Sequence, residues 1–231
     1  MLTAPQFSPA GLESVRRRIV TAARLAGRDP AAICLVAVSK QQPAASIRAA
    51  FAAGQRDFGE NYLQEAEPKM AALRELPITW HFIGRLQANK TRDIAASFDW
   101  VHSVDRERIA ARLAEQRPQD RPRLRVLLQV RLDDGPGRGG IDPDSLPALA
   151  ESVSAMTRLE LRGLMCMPEP ATDEAAQRAP CRRLRELLLD LNRRGHKLDT
   201  LSMGMSGDLE AAIAEGATIV RVGTAIFGPR S

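Results

Sequence analysis

Short β-like runs alternate with helical runs along almost the whole chain, which limits the fold to a few α/β architectures. The predicted strands are Ile33–Ser39, Asp57–Asn61, Thr79–Gly84, Trp100–Val104, Leu124–Leu132, Leu159–Met167, Thr200–Gly204 and Ile219–Gly223. The predicted helices are Ser8–Gly27, ahead of the first strand, and then Pro43–Ala53, Tyr62–Leu73, Ala88–Ser97, Asp105–Gln116, Pro143–Met156, Glu174–Arg194 and Asp208–Glu215. This order predicts a closed (β/α)8 TIM barrel, in which the leading helix occupies the place left empty after the last strand.

An open, doubly wound sheet would produce the same alternation. The first β/α turn lacks the Gly-x-Gly-x-x-Gly fingerprint of such dinucleotide-binding sheets, which favours the barrel. No linker rich in Pro, Gly or Ser divides the chain, since the run Asp133–Gly140 interrupts only one β/α step. We therefore predict a single domain over residues 1–231.

The composition argues against several other classes of protein. The formal net charge of +5 comes from arginines spread along the chain and mixed with acids, which argues against a nucleic-acid partner. Cys34, Cys166 and Cys181 form no Cys-x-x-Cys pair, which argues against a disulfide framework or a zinc site. No signal peptide is apparent, and the longest apolar run, Ala31 to Val38, is too short to cross a membrane. We expect a cytoplasmic protein without a membrane or nucleic-acid partner.

In a barrel of this kind the functional site lies at the C-terminal ends of the strands, which singles out Lys40 after the first strand. Side-chain alternation places Lys40 on the same side as Cys34, Val36 and Val38. If that side faces inward, the ammonium points into the barrel mouth, where desolvation would make it a usable amine nucleophile. The alternative is a solvated lysine at the start of a loop.

The seventh and eighth strands add groups that suit a phosphate. If the neighbouring valines pack on helices, Arg221 points into the barrel and needs an acceptor, either a ligand or an internal carboxylate. Gly223 and Thr224 open a turn whose backbone N–H groups can cradle a phosphate. Ser206 can cap the following helix and can donate its hydroxyl to a phosphate oxygen, and the two roles are compatible. These groups indicate a phosphorylated carbonyl ligand, either pyridoxal 5′-phosphate or a sugar phosphate held by an aldolase.

Five motifs, met in order along the chain, resemble the pyridoxal phosphate homeostasis protein family. They are Ala37–Lys40, Phe58–Tyr62, Trp80–Gly84 with Leu86–Lys90, Leu201–Ser206, and Val220–Thr224 with Ile226–Gly228. The likeness covers nearly the whole chain, and it implies a barrel like the N-terminal domain of alanine racemase.

The resemblance also implies roles for particular residues. Lys40 would hold pyridoxal 5′-phosphate as a Schiff base, and Asn61 would lie near its ring. Arg221 would face the pyridine nitrogen. The residues that would hold the phosphate are Ser206, Gly223 and Thr224.

The family's role is control of the pyridoxal phosphate pool, as a binder and carrier without established catalysis. The resemblance therefore implies a monomer whose partners are the cofactor and the pyridoxal phosphate-dependent apo-enzymes that would receive it.

The alternative function is a racemase-like enzyme. Racemisation needs an acid/base group on each face of the substrate carbon. The single tyrosine, Tyr62, belongs to a matched motif at the second strand, and the sequence ends after the last barrel strand, so we expect no second base.

Three positions depart from this pattern or stand outside it. Family members usually carry a lysine in the loop after the fifth strand, where this chain has Arg138, which cannot readily form a Schiff base. His81 and His102 fall on the third and fourth strands without other metal-ligand residues nearby, which favours structural or supporting roles. The sequence predicts no metal site, and it does not reveal which enzymes receive cofactor or what triggers its release.

Overall fold

The strands of the computed structural model close into a parallel barrel, and the model describes residues 7–133 and 139–228. The strands are β1 (Cys34–Val38), β2 (Asp57–Glu60), β3 (Thr79–Phe82), β4 (Trp100–Val104), β5 (Leu124–Gln129), β6 (Leu159–Met165), β7 (Thr200–Ser202) and β8 (Ile219–Val222). Each pairs with the next, and β8 pairs with β1 through the register Val36↔Arg221. The predicted barrel is therefore confirmed, and the open sheet is wrong.

Helices surround the barrel as the sequence predicts. They are α1 (Pro9–Leu25), α2 (Ala44–Ala52), α3 (Leu63–Ala72), α4 (Thr91–Ser97), α5 (Glu107–Gln116), α6 (Leu146–Ser154), α7 (Glu174–Arg193), α8 (Leu209–Ala214) and α9 (Thr224–Phe227). Short 3₁₀ turns precede β1, α4 and α6. Pro43 is the N-cap of α2 and stands just outside the first turn that the sequence assigns to it.

The leading helix α1 closes the outer ring between the last and first β/α units. A Cβ added at Gly11 would lie 2.3 Å from the Ala225 carbonyl oxygen, so only glycine lets α1 approach α9 this closely. On its other side, Arg16 Nη1 donates to the Ala53 carbonyl at the end of α2 (2.9 Å). The buried face of α1 recurs at helical spacing through Leu12, Val15, Ile19 and Ala22.

The side chains of each strand alternate between the apolar layer under the helices and the interior of the barrel. Leu35 and Ala37 of β1 belong to the core between strands and helices. Val36 faces the barrel interior, where a Cβ added at Gly59 would lie 2.9 Å from its Cγ1. This alternation places Val38, and Lys40 beyond it, on the side that opens at the barrel mouth.

Most predicted strands extend beyond the observed ones at their C-terminal ends. Asn61, Gly84, Gly204 and Gly223 lie outside the strands although the sequence includes them. Gly204, two residues after the end of β7, has a φ of 93°, a left-handed conformation that favours glycine. The affected residues are those that shape the mouth of the barrel, because loops begin there.

Two further properties bear on function. Within residues 7–133 and 139–228, no helix combines the length and apolarity that crossing a bilayer requires. The three cysteines are free thiols, and burial raises the pKa of Cys181 to about 12, so this thiol stays protonated at neutral pH.

Candidate cofactor site

A cavity of about 290 Å³ opens at the C-terminal ends of β1, β7 and β8. This volume is close to the lower end of the range of about 300–1,000 Å³ that is typical of small-molecule sites. Five of the predicted site residues line it, namely Lys40, Ser206, Arg221, Gly223 and Thr224. Asn61, the sixth, is not among the lining residues.

Lys40 lies in a tight turn directly after β1, and α3 holds this turn from both sides. Lys69 Nζ donates to the carbonyl of Ser39, the residue before Lys40 (2.9 Å). Glu65 Oε2 accepts from the backbone N–H of Gln41, the residue after it (2.8 Å). Gln41 has a φ of 61°, a left-handed conformation that persists only where its surroundings fix it. The backbone that carries Lys40 is therefore anchored to α3.

The anchor itself rests on a buried ion pair. Lys69 Nζ lies 2.9 and 3.0 Å from the two carboxylate oxygens of Glu60, and the Ser39 hydroxyl donates to Glu60 Oε1 (2.6 Å). The Glu60 side chain is fully buried. Burial raises the pKa of Glu60, while Lys69 and Ser39 oppose this rise by stabilising the carboxylate. The sequence interpretation gave Lys69 no role, although it shares the buried face of α3 with apolar residues, which is a detectable signal.

Arg221 points into the barrel beneath the cavity, as the alternation of β8 predicts. Its guanidinium donates through Nη1 to Ser202 Oγ (2.6 Å) and through Nη2 to the Cys166 carbonyl (2.9 Å). Burial lowers the pKa of Arg221. Both acceptors are uncharged. In the described part of the protein, these two hydrogen bonds therefore do not join Arg221 to an internal carboxylate, which was one of the two acceptors that the sequence allowed.

The loop after β7 presents Ser206 to the cavity. Within the loop, Asp208 Oδ1 accepts from the Met205 N–H (2.6 Å). From α1, Arg18 Nη2 donates to the Ser206 carbonyl (2.9 Å). These two hydrogen bonds fix the loop. The N-cap of α8 is Asp208. The prediction that Ser206 caps this helix is therefore wrong, because the helix begins two residues later than that role requires.

Gly223 and Thr224 form the junction between β8 and α9. Gly223 is the N-cap of α9, and a Cβ placed there would lie 3.2 Å from the Val38 carbonyl oxygen. A side chain at this position would crowd β1, so glycine keeps the two strand ends close beside the cavity.

Asn61 follows β2, and its backbone is in close contact with the chain after β3. A Cβ at Gly84 would lie 1.9 Å from the Asn61 carbonyl oxygen, so this approach requires glycine. The side-chain oxygen Oδ1 of Asn61 is buried and has no hydrogen-bond partner within the described residues. An amide oxygen left in this state costs about 1–3 kcal/mol unless a bound molecule supplies a donor.

The remaining positions singled out in the sequence lie elsewhere. Arg138 falls outside the described residues. His81 and His102 lie inside the barrel and are hydrogen-bonded to each other (2.9 Å). Among residues 7–133 and 139–228, no group of three or more His, Cys, Asp or Glu side chains could hold a metal ion.

Comparisons with known proteins agree with this arrangement. The model of the alanine racemase N-terminal domain matches residues 11–231. The pyridoxal phosphate homeostasis protein of Pseudomonas aeruginosa is 61% identical and covers 95% of this chain and 94% of its own. The protein of the same name from Escherichia coli K12 is 49% identical, with 95% of both chains covered.

A solved structure extends the likeness to three dimensions. PipY of Synechococcus elongatus, described with pyridoxal phosphate bound, is 40% identical, with a TM-score of 0.82 over 93% of this chain and all of its own. Neither the sequence likeness nor the structural likeness is confined to part of the barrel. The chain therefore belongs to the family of pyridoxal phosphate homeostasis proteins, which is built on the barrel of the alanine racemase N-terminal domain.

Proposed function

We propose that this protein binds pyridoxal 5′-phosphate in the cavity above Arg221 and contributes to the control of the cytoplasmic pool of this cofactor without catalysing a reaction of its own. The observation that carries the proposal is the convergence of Lys40, Arg221 and the Ser206 loop on one cavity. The names of the relatives and the bound ligand of PipY support the same conclusion. In a carrier role its partners would be pyridoxal phosphate-dependent apo-enzymes.

The residues present fit this cofactor. Gln42 Oε1, in a residue that lines the cavity, is buried without a hydrogen-bond partner within the described residues, as is Asn61 Oδ1. A ligand with hydroxyl donors would satisfy such oxygens. The cavity also combines a lysine amine with an arginine, which suits a ligand that carries both an aldehyde and an anionic group.

Each residue would then have a definite task. Lys40 would form the covalent link, because an amine at a partly buried strand end can attack an aldehyde. Arg221 would face the ring nitrogen, where a second positive charge disfavours protonation of that nitrogen. Ser206 would donate its hydroxyl to the phosphate, and Gly223 and Thr224 would offer backbone N–H groups to it. When bound, the cofactor would supply an electron sink, which an unprotonated ring weakens.

The described part of the cavity lining does not offer the pair of acid/base groups that a racemase requires. A racemase needs a second acid/base group opposite the lysine, within hydrogen-bond reach of the substrate carbon. Tyr62, the single tyrosine of the chain, is more than half exposed and does not line the cavity. Asp208 lines the cavity, but its carboxylate is engaged by the Met205 N–H. Apart from Lys40, Asp208 and Arg221, the described residues that line the cavity carry no carboxyl, imidazole, thiol, amine or phenol group.

Equilibrium titration with pyridoxal 5′-phosphate, together with assays of amino-acid racemisation, tests this function. We expect saturable binding with a visible Schiff-base band, and racemisation no faster than with free pyridoxal 5′-phosphate. The absence of binding would refute the proposal. Racemisation above the free-cofactor rate that disappears in Lys40→Ala would instead favour the racemase-like enzyme.

The phosphate contact gives a more selective prediction. Ser206→Ala should lower the affinity for pyridoxal 5′-phosphate by about tenfold to a hundredfold, the effect of losing one hydrogen bond to a charged group. The affinity for pyridoxal, which has no phosphate, should change little. Titration of both ligands checks this, with Met205→Leu as the matched control, since it alters the same loop without removing a hydroxyl. Equal losses for the two ligands in Ser206→Ala would show that Ser206 does not contact the phosphate.

A further inference from the structure

A chain of hydrogen bonds crosses the interior of the barrel from Arg221 to its opposite end. Arg221 Nη1 donates to Ser202 Oγ (2.6 Å), and Ser202 Oγ lies 2.9 Å from His102 Nδ1. His102 Nε2 lies 2.9 Å from His81 Nδ1, and His81 Nε2 lies 3.0 Å from Asp57 Oδ1. Asp57 is the first residue of β2, so it lies at the end of the barrel opposite the cavity. The four residues from His81 to Arg221 are buried, whereas the Asp57 side chain is 28% exposed.

The chemistry of these groups determines which atom donates in each hydrogen bond, and so gives the hydrogen-bond chain one direction. A carboxylate only accepts hydrogen bonds, so the contact with Asp57 requires a proton on His81 Nε2. If His81 carries no second proton, its Nδ1 accepts, and His102 Nε2–H donates to it. Burial, the neighbouring His81 and the charge of Arg221 lower the pKa of His102 well below its usual value, so His102 is neutral. Its Nδ1 therefore accepts from the Ser202 hydroxyl.

The position of the Ser202 hydroxyl supports this direction independently. Its oxygen accepts from Arg221, and within the described residues its hydrogen has one acceptor, His102 Nδ1. If the two histidines carried their protons the other way, His102 would donate to Ser202 and the buried hydroxyl hydrogen would have no acceptor. Only the direction that ends at Asp57 satisfies every donor and acceptor in the chain.

We propose that Asp57 is a positioning residue for Arg221, because it fixes the direction of this hydrogen-bond chain, in which the Ser202 hydroxyl donates to His102 while its oxygen accepts from the guanidinium beneath the cavity. The hydrogen-bond chain then stabilises the positive charge of Arg221, because each hydrogen bond polarises the next towards the Asp57 carboxylate. The relevance of Asp57 to cofactor binding rests on the proposed function, whereas the direction of the hydrogen-bond chain does not.

Simple packing is the competing explanation. The His81 ring is stacked on Trp100, with centroids 5.7 Å apart and planes at 9°, and it meets the His102 ring edge to face. Such contacts explain why both rings are buried. They do not depend on which ring nitrogen carries the proton, so packing alone predicts that the carboxylate of Asp57 affects neither the tautomers nor the ligand.

Nitrogen-15 NMR of the ligand-free protein tests the direction. The protein has three histidines, and the third, His196, lies outside the barrel and provides a reference signal. At neutral pH we expect His81 and His102 each to carry one proton, on Nε2, with Nδ1 as acceptor. A proton on Nδ1 of either ring would overturn the proposal whatever the ligand results.

Two substitutions at Asp57 then test the coupling. Asp57→Leu has a similar size but no acceptor, so we expect mixed tautomers at His81 and an affinity for pyridoxal 5′-phosphate that is about threefold to tenfold lower. Asp57→Asn keeps an amide oxygen as acceptor and should retain the tautomers and most of the affinity. Unchanged tautomers and affinity in a folded Asp57→Leu protein would leave packing as the only role of Asp57. If the wild-type protein shows the expected tautomers but binds no pyridoxal 5′-phosphate, the proposed function fails and the hydrogen-bond direction stands.

Discussion

Lys40→Ala should abolish the visible Schiff-base band and all labelling by borohydride reduction in the presence of pyridoxal 5′-phosphate. Lys40 is the lysine among the residues lining the cavity, and its turn is fixed on both sides by α3. Lys69 is buried, its amine is engaged by the Glu60 carboxylate and the Ser39 carbonyl, and it does not line the cavity. We therefore expect the pyridoxyl mass of the wild-type protein on the peptide that contains Lys40.

The matched control is Lys197→Ala, which removes an exposed lysine just before β7, at the end of the barrel away from the cavity. It should leave both the absorbance band and the labelled peptide unchanged. Lys40→Arg separates charge from chemistry, because it keeps a cation but cannot readily form the covalent link. Labelling that persists in Lys40→Ala, or that maps mainly to Lys69 or Lys90, would contradict the assignment.

The positions of Lys40 and Arg221 could be predicted because each depends on one strand. Alternation along β1 and β8 determines which side chains face the interior, and the barrel places both strand ends at one mouth. The helix that begins after β7 was harder to place. Ser206 and Asp208 are both favourable N-cap residues, so local sequence preference does not decide between them, and the structure assigns the position to Asp208.

The contacts beneath the cavity could not be predicted, because they depend on how distant strands lie across the interior. The sequence places Asp57, His81, His102 and Ser202 on four different strands, and nothing local indicates that their side chains meet. The structure brings them together, so His81 and His102 have partners that the sequence interpretation did not identify.

The buried pair of Lys69 and Glu60 leads to the largest stability change that we expect. Lys69→Met removes the amine and leaves the Glu60 carboxylate fully buried, with the Ser39 hydroxyl as its one remaining donor among the described residues. Breaking a buried ion pair in this way costs about 3–5 kcal/mol in the free energy of unfolding. The same change releases the Ser39 carbonyl, so the turn that carries Lys40 loses one of its two anchors. Urea unfolding measures the first effect, and cofactor titration measures the second.

The loss should depend on pH in a direction that the pair determines. Burial already raises the pKa of Glu60, and without Lys69 the main opposing charge is gone, so the folded-state pKa rises further. The folded protein then binds more protons than the unfolded chain, in which a glutamate has a pKa of about 4.3. Stability of Lys69→Met should therefore fall as pH rises from about 4.3 through the raised pKa, and the deficit should be larger at pH 8 than at pH 5.

A double variant separates the lost pair from the lost side chain. Glu60→Gln with Lys69→Met removes both charges, keeps an acceptor for Ser39 and should recover much of the stability, because an uncharged pair requires no compensation for a buried charge. Its stability should also lose the extra pH dependence between pH 5 and pH 8. Lys197→Met is the exposed control and should change neither quantity appreciably. A Lys69→Met deficit that is the same at both pH values and remains in the double variant would mean that Lys69 stabilises the fold by packing and not by its charge.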